Sequence, residues 1–298
     1  MLRLATLVIS AALLVSPAPA VALANSSSTT YAQDNIDDLR LAAEAGDTSA
    51  AFGYGYALTF PDSGDPDYAI GRYWLVQAAD AGLAEANHVL GLVYRDGIGT
   101  NAELDRARAF FELAWQGQNT SAGLDLADLL IYDYEGEAEG GLAIYRQLST
   151  RNDVGAFAQL RLAEALMFGP EAIEDTSGAL AAARSALAAD SSLAGANYIL
   201  GIGSMTGMEG EADPVAARAF WQAGANGGDS LCMAALAQAM LEGDGGEVDQ
   251  IEALALLYTA AILGDLEAAE SAASIEDQLE EAQLTEAEQR SAQYLERL

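Results

Sequence analysis

The chain has 298 residues, 51% of them hydrophobic and only 7% aromatic, with a formal net charge of −32. That apolar content supports a large core and excludes global disorder, and the abundance of Ala and Leu over Pro and aromatics favours helices over sheets. Thirteen bases, all Arg, against 45 acids make a surface repelled by nucleic-acid phosphates and anionic lipid, so no nucleic-acid partner is expected.

The first thirty residues, MLRLATLVISAALLVSPAPAVALANSSSTT, carry one charge, Arg3. Leu4 to Val15 is an apolar stretch too short to span a bilayer, and small-residue pairs at Ala18/Ala20 and Ala22/Ala24 follow it. The segment reads as a secretory signal peptide over 1–24, cleaved after Ala24, with a flexible segment over 25–34. The mature chain is then expected to be exported, periplasmic or secreted, with no stable membrane insertion. Cys232 is the only cysteine, so no intrachain disulfide can form.

From there on the chain repeats itself. With Ala86 as the origin, Leu90-Gly91 stand at +4 and +5, Tyr94 at +8, Gly97 and Gly99 at the following turn, Glu103 at +17 and Ala114 at +28. Thirty-six residues upstream, Ala50 begins the same series with Gly55, Asp67, Gly71, Ala78-Ala79 and Gly82. From Ala196 come Leu200-Gly201, Gly207, Asp213, Ala217, Gly224-Ala225 and Gly228. From Cys232 come Leu236-Ala237, Gly243, Gly245, Asp249, Ala253, Ala260-Ala261 and Gly264. Degraded copies begin at Ala122 and Ala158. A fixed period of this size marks a solenoid. Each unit is predicted to be two antiparallel helices. Helix A carries the i, i+4 apolar stripe, a small residue at +5 admits its neighbour, and glycine ends the helix. The acid at +17 starts helix B. The solenoid is predicted over 35–272 and capping helices over 273–298, where Thr285 and Glu288 read as a capping-box pair.

The pattern resembles the Sel-one-like repeat family, a relative of the tetratricopeptide repeats, over most of the mature chain. The resemblance implies an all-α fold, a right-handed α-solenoid of antiparallel helix pairs. It also implies that helix A lines the concave surface, where these solenoids hold protein or peptide partners. Offsets +2, +6 and +9 of helix A then give candidate partner-binding residues: Phe52, Tyr56, His88, Leu92, Arg95, Leu124, Ile131, Tyr198, Ile202 and Met205. Packing of these side chains into the core is the alternative reading of the same row.

The motifs that suggest chemistry dissolve into the repeat. Gly97 and Gly99 would need a Lys-Ser/Thr pair to form a P-loop, and the chain has no Lys. The same absence removes Schiff-base and Ser-x-x-Lys chemistry. His88 is the only histidine, read as a plain surface residue with partner contact as the alternative. Cys232 replaces an alanine and is expected to be a small buried thiol. The acidic run 242–252 (EGDGGEVDQIE) does not match the EF-hand spacing. No catalytic residue, metal site or cofactor is assigned. The expected function is an exported, non-enzymatic interaction scaffold or regulator. A cell-envelope hydrolase (β-lactamase-like or cell-wall-directed) and an acidic cation-binding module are the alternatives.

Overall fold

A computed structural model describes residues 36–298; the predicted signal peptide and the segment after it lie outside the described residues. The described residues form fifteen α-helices and one 3-10 turn, with no strand among them. They divide into two units, 36–148 and 149–298.

The first unit holds α1 (Ile36–Glu44), α2 (Thr48–Thr59), α3 (Tyr68–Asp80), α4 (Ala84–Asp96), α5 (Leu104–Gln116), α6 (Thr120–Tyr132) and α7 (Ala138–Leu148). Consecutive helices pack on each other throughout, and α4 also touches α6. The second unit holds α8 (Gly155–Phe168), a 3-10 turn (Glu171–Ile173), α9 (Thr176–Ala189), α10 (Gly195–Thr206), α11 (Pro214–Asn226), α12 (Ser230–Glu242), α13 (Gln250–Ile262), α14 (Leu266–Glu276) and α15 (Glu281–Leu295). There α8 touches α10 and α10 touches α12, so these helices A meet the next helix A as well as their own helix B.

The repeat offsets account for where these helices start and stop. Asp67, Asp213 and Asp249 at +17 are N-caps whose carboxylates accept from the backbone N–H three residues on, at 2.9–3.1 Å. Glu103 at the same offset caps without its side chain, which pairs with Arg106 at 3.2 Å instead. Helix A ends on a left-handed glycine in three copies, at Gly97, Gly207 and Gly243. The degraded copies still fold into pairs. Between α8 and α9 the glycine turn is replaced by the 3-10 turn, which buries Ile173.

The small residue at +5 is where helix A meets helix B. A Cβ on Gly55 would lie 2.8 Å from both the carbonyl oxygen of Gly71 and the amide nitrogen of Leu75; one on Gly91 would lie 2.4 Å from the Phe111 ring. The chain end is arranged differently from the sequence reading. The capping box is formed by Glu280 and Gln283, and Thr285 lies inside α15 with its hydroxyl donating to the Glu281 carbonyl. Glu280 takes the role because the helix begins one turn earlier than the Thr285–Glu288 spacing suggests. Helix α15 then seats on α13, where Thr259 donates to Ser291 at 3.0 Å and Glu252 accepts from Arg290 and Tyr294 at 2.6 and 2.7 Å.

Replacing Gly55 by Ala forces the two backbones apart and is expected to lower unfolding free energy by about 1–3 kcal/mol. Gly140→Ala, on an exposed helical position with only Leu130 Cδ1 at 3.7 Å from the new methyl, is expected to raise it by about 0.5–1 kcal/mol. Urea titrations of both variants check the contrast.

Candidate functional site

The row drawn from +2, +6 and +9 falls mostly inside the stack. Phe52, His88, Leu92, Leu124 and Ile131 in the first unit are buried, as are Tyr198 and Ile202 in the second. The reason is the small +5 residue: it draws helix B in, and the adjacent helices A close over what remains. In α4 every residue from Ala86 to Tyr94 is buried. Tyr56, Arg95 and Met205 keep part of their surface in contact with solvent. All three lie on the C-terminal half of a helix A.

The expected surface histidine is instead a buried one, 8% exposed, and this corrects the sequence reading. Asp125, on α6, accepts from His88 Nε2 at 2.7 Å and from Arg95 Nη1 at 2.7 Å. Arg95 turns its Nε and Nη2 to the two oxygens of Asp96, at 2.7 and 3.0 Å. The His88 ring also stands 6.0 Å from that of Phe111. Burial acts to lower the Arg95 guanidinium pKa, but its hydrogen bonds and charge contacts with Asp96 and Asp125 outweigh this and raise it. Charged side chains this enclosed, Arg95 9% exposed and Asp125 7%, are stable only with such partners. The cluster therefore ties α4 to α6 across two successive repeats.

Sequence reasoning overlooked Asp125, although a signal was present. It stands at +3 of its copy, where the neighbouring copies place Val89 and Arg161 and the later ones Ile199 and Ala235. An acid on that buried face needs a cation and hydrogen-bond partners; Arg95, 30 positions earlier, supplies the charge, and His88, 37 positions earlier, a further hydrogen bond. A second polar tie also went unread: the buried Tyr145 of α7 donates to Asp128 of α6.

Around Tyr56 the surface is aromatic, with Phe52 at 6.0 Å and Phe60 at 5.0 Å between ring centroids. In the second unit Phe168 stands 6.1 Å from Tyr198, and Met205 and Leu241 pack half-exposed against the same core. Burial raises the Tyr198 phenol above its ordinary pKa, so it is neutral at any physiological pH. Cys232 has no exposed surface, as expected, and burial pushes its thiol well above the ordinary range. The run 242–252 is held by side chains from outside it. Arg218 donates to the carbonyls of Asp244 (2.5 Å), Ala239 (2.7 Å) and Glu247 (3.2 Å), and Glu252 is engaged by α15. Among the described residues no group of His, Cys, Asp or Glu is arranged to hold a metal ion. No described helix is long and apolar enough to cross a membrane.

With this geometry in view, the Sel1 repeat model matches residues 48–83, 84–115, 156–181, 194–229 and 230–265, more than half of the chain. The chain belongs to the Sel1 repeat family. The matched Sel1 segments leave out 116–155, the copy whose glycines are most eroded, yet α6 and α7 keep the helix-pair form there. A Sel1 repeat protein from Oxalobacter formigenes is similar at a TM-score of 0.67 with 20% identity, over 87% of this chain and 76% of that one. The protective antigen c5321 of uropathogenic Escherichia coli, described as having an SLR fold, is 21% identical over 88% of this chain and 71% of its own, with a TM-score of 0.40. The likeness to the Oxalobacter formigenes protein concerns the fold alone. No curated protein matches the sequence. Sel1 solenoids commonly serve as protein–protein interaction scaffolds.

Asp125→Ala leaves His88 and Arg95 facing each other without their shared carboxylate and is expected to cost about 3–5 kcal/mol. A double-mutant cycle with His88→Ala should show a coupling above about 1 kcal/mol in chemical denaturation. The raised thiol pKa and full burial of Cys232 predict that a disulfide reagent at pH 7 labels it only after denaturant is added.

Proposed function

We propose that this protein is an exported, non-enzymatic scaffold that binds a protein or peptide through the helix-A side of its Sel1 repeats. The observation that carries this reading is the fate of the polar groups. His88, Asp125 and Arg95 satisfy one another inside the stack, and the acidic loop is held by Arg218. These groups, which the sequence offers as candidates for chemistry, have structural tasks. What the helices A offer outward is contact surface: the aromatic group at Tyr56 with Phe60, and the half-exposed Met205 with Phe168 and Leu241. Aromatic and methionine side chains of this kind suit a partner's apolar anchors. The leader over 1–24 supports export, with a periplasmic or secreted destination.

Crosslinking in intact cells followed by mass spectrometry tests both halves of the proposal. An epitope-tagged chain should be recovered outside the cytoplasm with its N-terminus at Asn25, crosslinked to a discrete protein. Tyr56→Ala and Met205→Ala should each weaken capture of that protein by about tenfold while leaving the melting temperature within a few degrees. Recovery in the cytoplasm with Met1 intact, or capture unchanged in both variants, contradicts the proposal. Hydrolysis of a cell-wall or β-lactam substrate by the purified chain would contradict the non-enzymatic part.

A further inference from the structure

The last full repeat departs from its siblings at the turn between its helix B and the next helix. At +30 the copies beginning at Ala50, Ala86 and Ala196 carry Asp80, Gln116 and Asn226; the copy beginning at Cys232 carries Ile262. At +31 they carry Ala81, Gly117 and Gly227, against Leu263. At +34 they carry Ala84, Thr120 and Ser230, against Leu266. Three polar or small positions have become large and aliphatic together. None of the three is used by the core: Ile262 is 64% exposed, Leu263 43% and Leu266 80%. Single exposed aliphatic residues are ordinary, but three within five residues, at positions the fold fills with polar or small side chains elsewhere, make a patch without a structural task.

The surroundings say what such a patch can receive. From Ala219 to Gln289 the sequence holds fifteen acids and no Arg, Lys or His, and of the two bases that α15 brings back beside these repeats, Arg290 is paired with Glu252 and Glu286 and Arg297 lies over the Tyr294 ring. Asp265 lies inside the turn itself, and Glu267 and Glu270 are exposed on the first turns of α14. An anionic membrane is repelled by this field, and so is a second copy of the chain, which would bring the same acids against it. A cationic surface is attracted. Residues 262, 263 and 266 project from one tight turn, a footprint that fits the apolar stripe of a helix better than an extended strand.

We propose that Ile262, Leu263 and Leu266 form a docking site for a cationic amphipathic helix of a partner protein. Its apolar stripe covers the three side chains, and its Lys or Arg residues face Asp265, Glu267 and Glu270. Only the identification of the occupant as a protein segment rests on the scaffold reading above. The patch shares no residue with the Tyr56 and Met205 surfaces.

The test substitutes the preceding repeat's own residues, Ile262→Asn, Leu263→Gly and Leu266→Ser, into the otherwise complete mature protein. Since all three side chains are exposed and the new ones are accepted at 226, 227 and 230, the melting temperature should stay within a few degrees. Two fluorescent peptides of equal length serve as probes, an amphipathic Leu/Lys helix and its Leu/Glu counterpart, with binding read by anisotropy at low salt and at roughly 0.15 M salt. The wild type is expected to bind the Leu/Lys helix, more weakly at the higher salt, and not the Leu/Glu helix. The triple variant should bind the Leu/Lys helix about tenfold or more weakly. Equal binding by wild type and variant, or no binding by either, overturns the proposal. Binding of both peptides overturns its electrostatic half. A wild type that dimerises through the patch in sedimentation, with a monomeric variant, assigns it to a second copy and also overturns it. Capture of the native partner in cells, lost in Tyr56→Ala and kept in the triple variant, would leave the scaffold reading intact and remove this site from it.

Discussion

The structure depends on how closely helix A can approach helix B. Gly or Ala at +5 sets that distance, and at Gly55 the two backbones are near enough that one added carbon would meet the main chain at 2.8 Å. Close approach allows small side chains to form a complete core: Ala78, Ala86, Ala114, Ala225 and Ala260 have no exposed surface. A core built of alanine has little reach. It gains enough burial only when each pair leans on the next, and so the fold propagates along the chain instead of closing on itself.

This constraint has a consequence for polar groups. When helices A are packed on every side, a charge on them is enclosed, and it must be answered by a nearby side chain, from the next repeat or from the paired helix. His88, Arg95 and Asp125 meet that demand across α4 and α6, and Tyr145 meets Asp128 across α6 and α7. Residues that look like functional candidates in isolation thereby become ties between neighbouring helices. The apolar side chains proposed for partner contact stand at C-terminal turns and at a link between repeats. Tyr56, Met205 and the aliphatic turn at Leu263 are all of this kind.

The repeat, its helix boundaries and its caps were legible in the sequence because they rest on local chemistry. Gly97 and Gly243 end helices in the left-handed region, and Asp67, Asp213 and Asp249 begin them, in the positions the spacing marks. Burial was less legible. The period places Leu92 and Ile202 on the inward row, but how far the neighbouring helix covers them depends on packing between repeats, which a one-dimensional pattern does not carry. For the same reason His88 reads as exposed until Asp125, 37 residues later, is brought beside it. The short-range error at Thr285 has another origin. Two capping boxes compete within one turn, and the one at Glu280 wins by starting the helix earlier.

If stacking is what holds the modules folded, a single module cut from the chain should not fold. Far-UV circular dichroism of a peptide spanning residues 230–265, which holds the well-formed pair α12 and α13, measures this directly. The account predicts the spectrum of a largely unfolded chain with no cooperative thermal transition. A helical spectrum with a sharp melt in the isolated pair would contradict it.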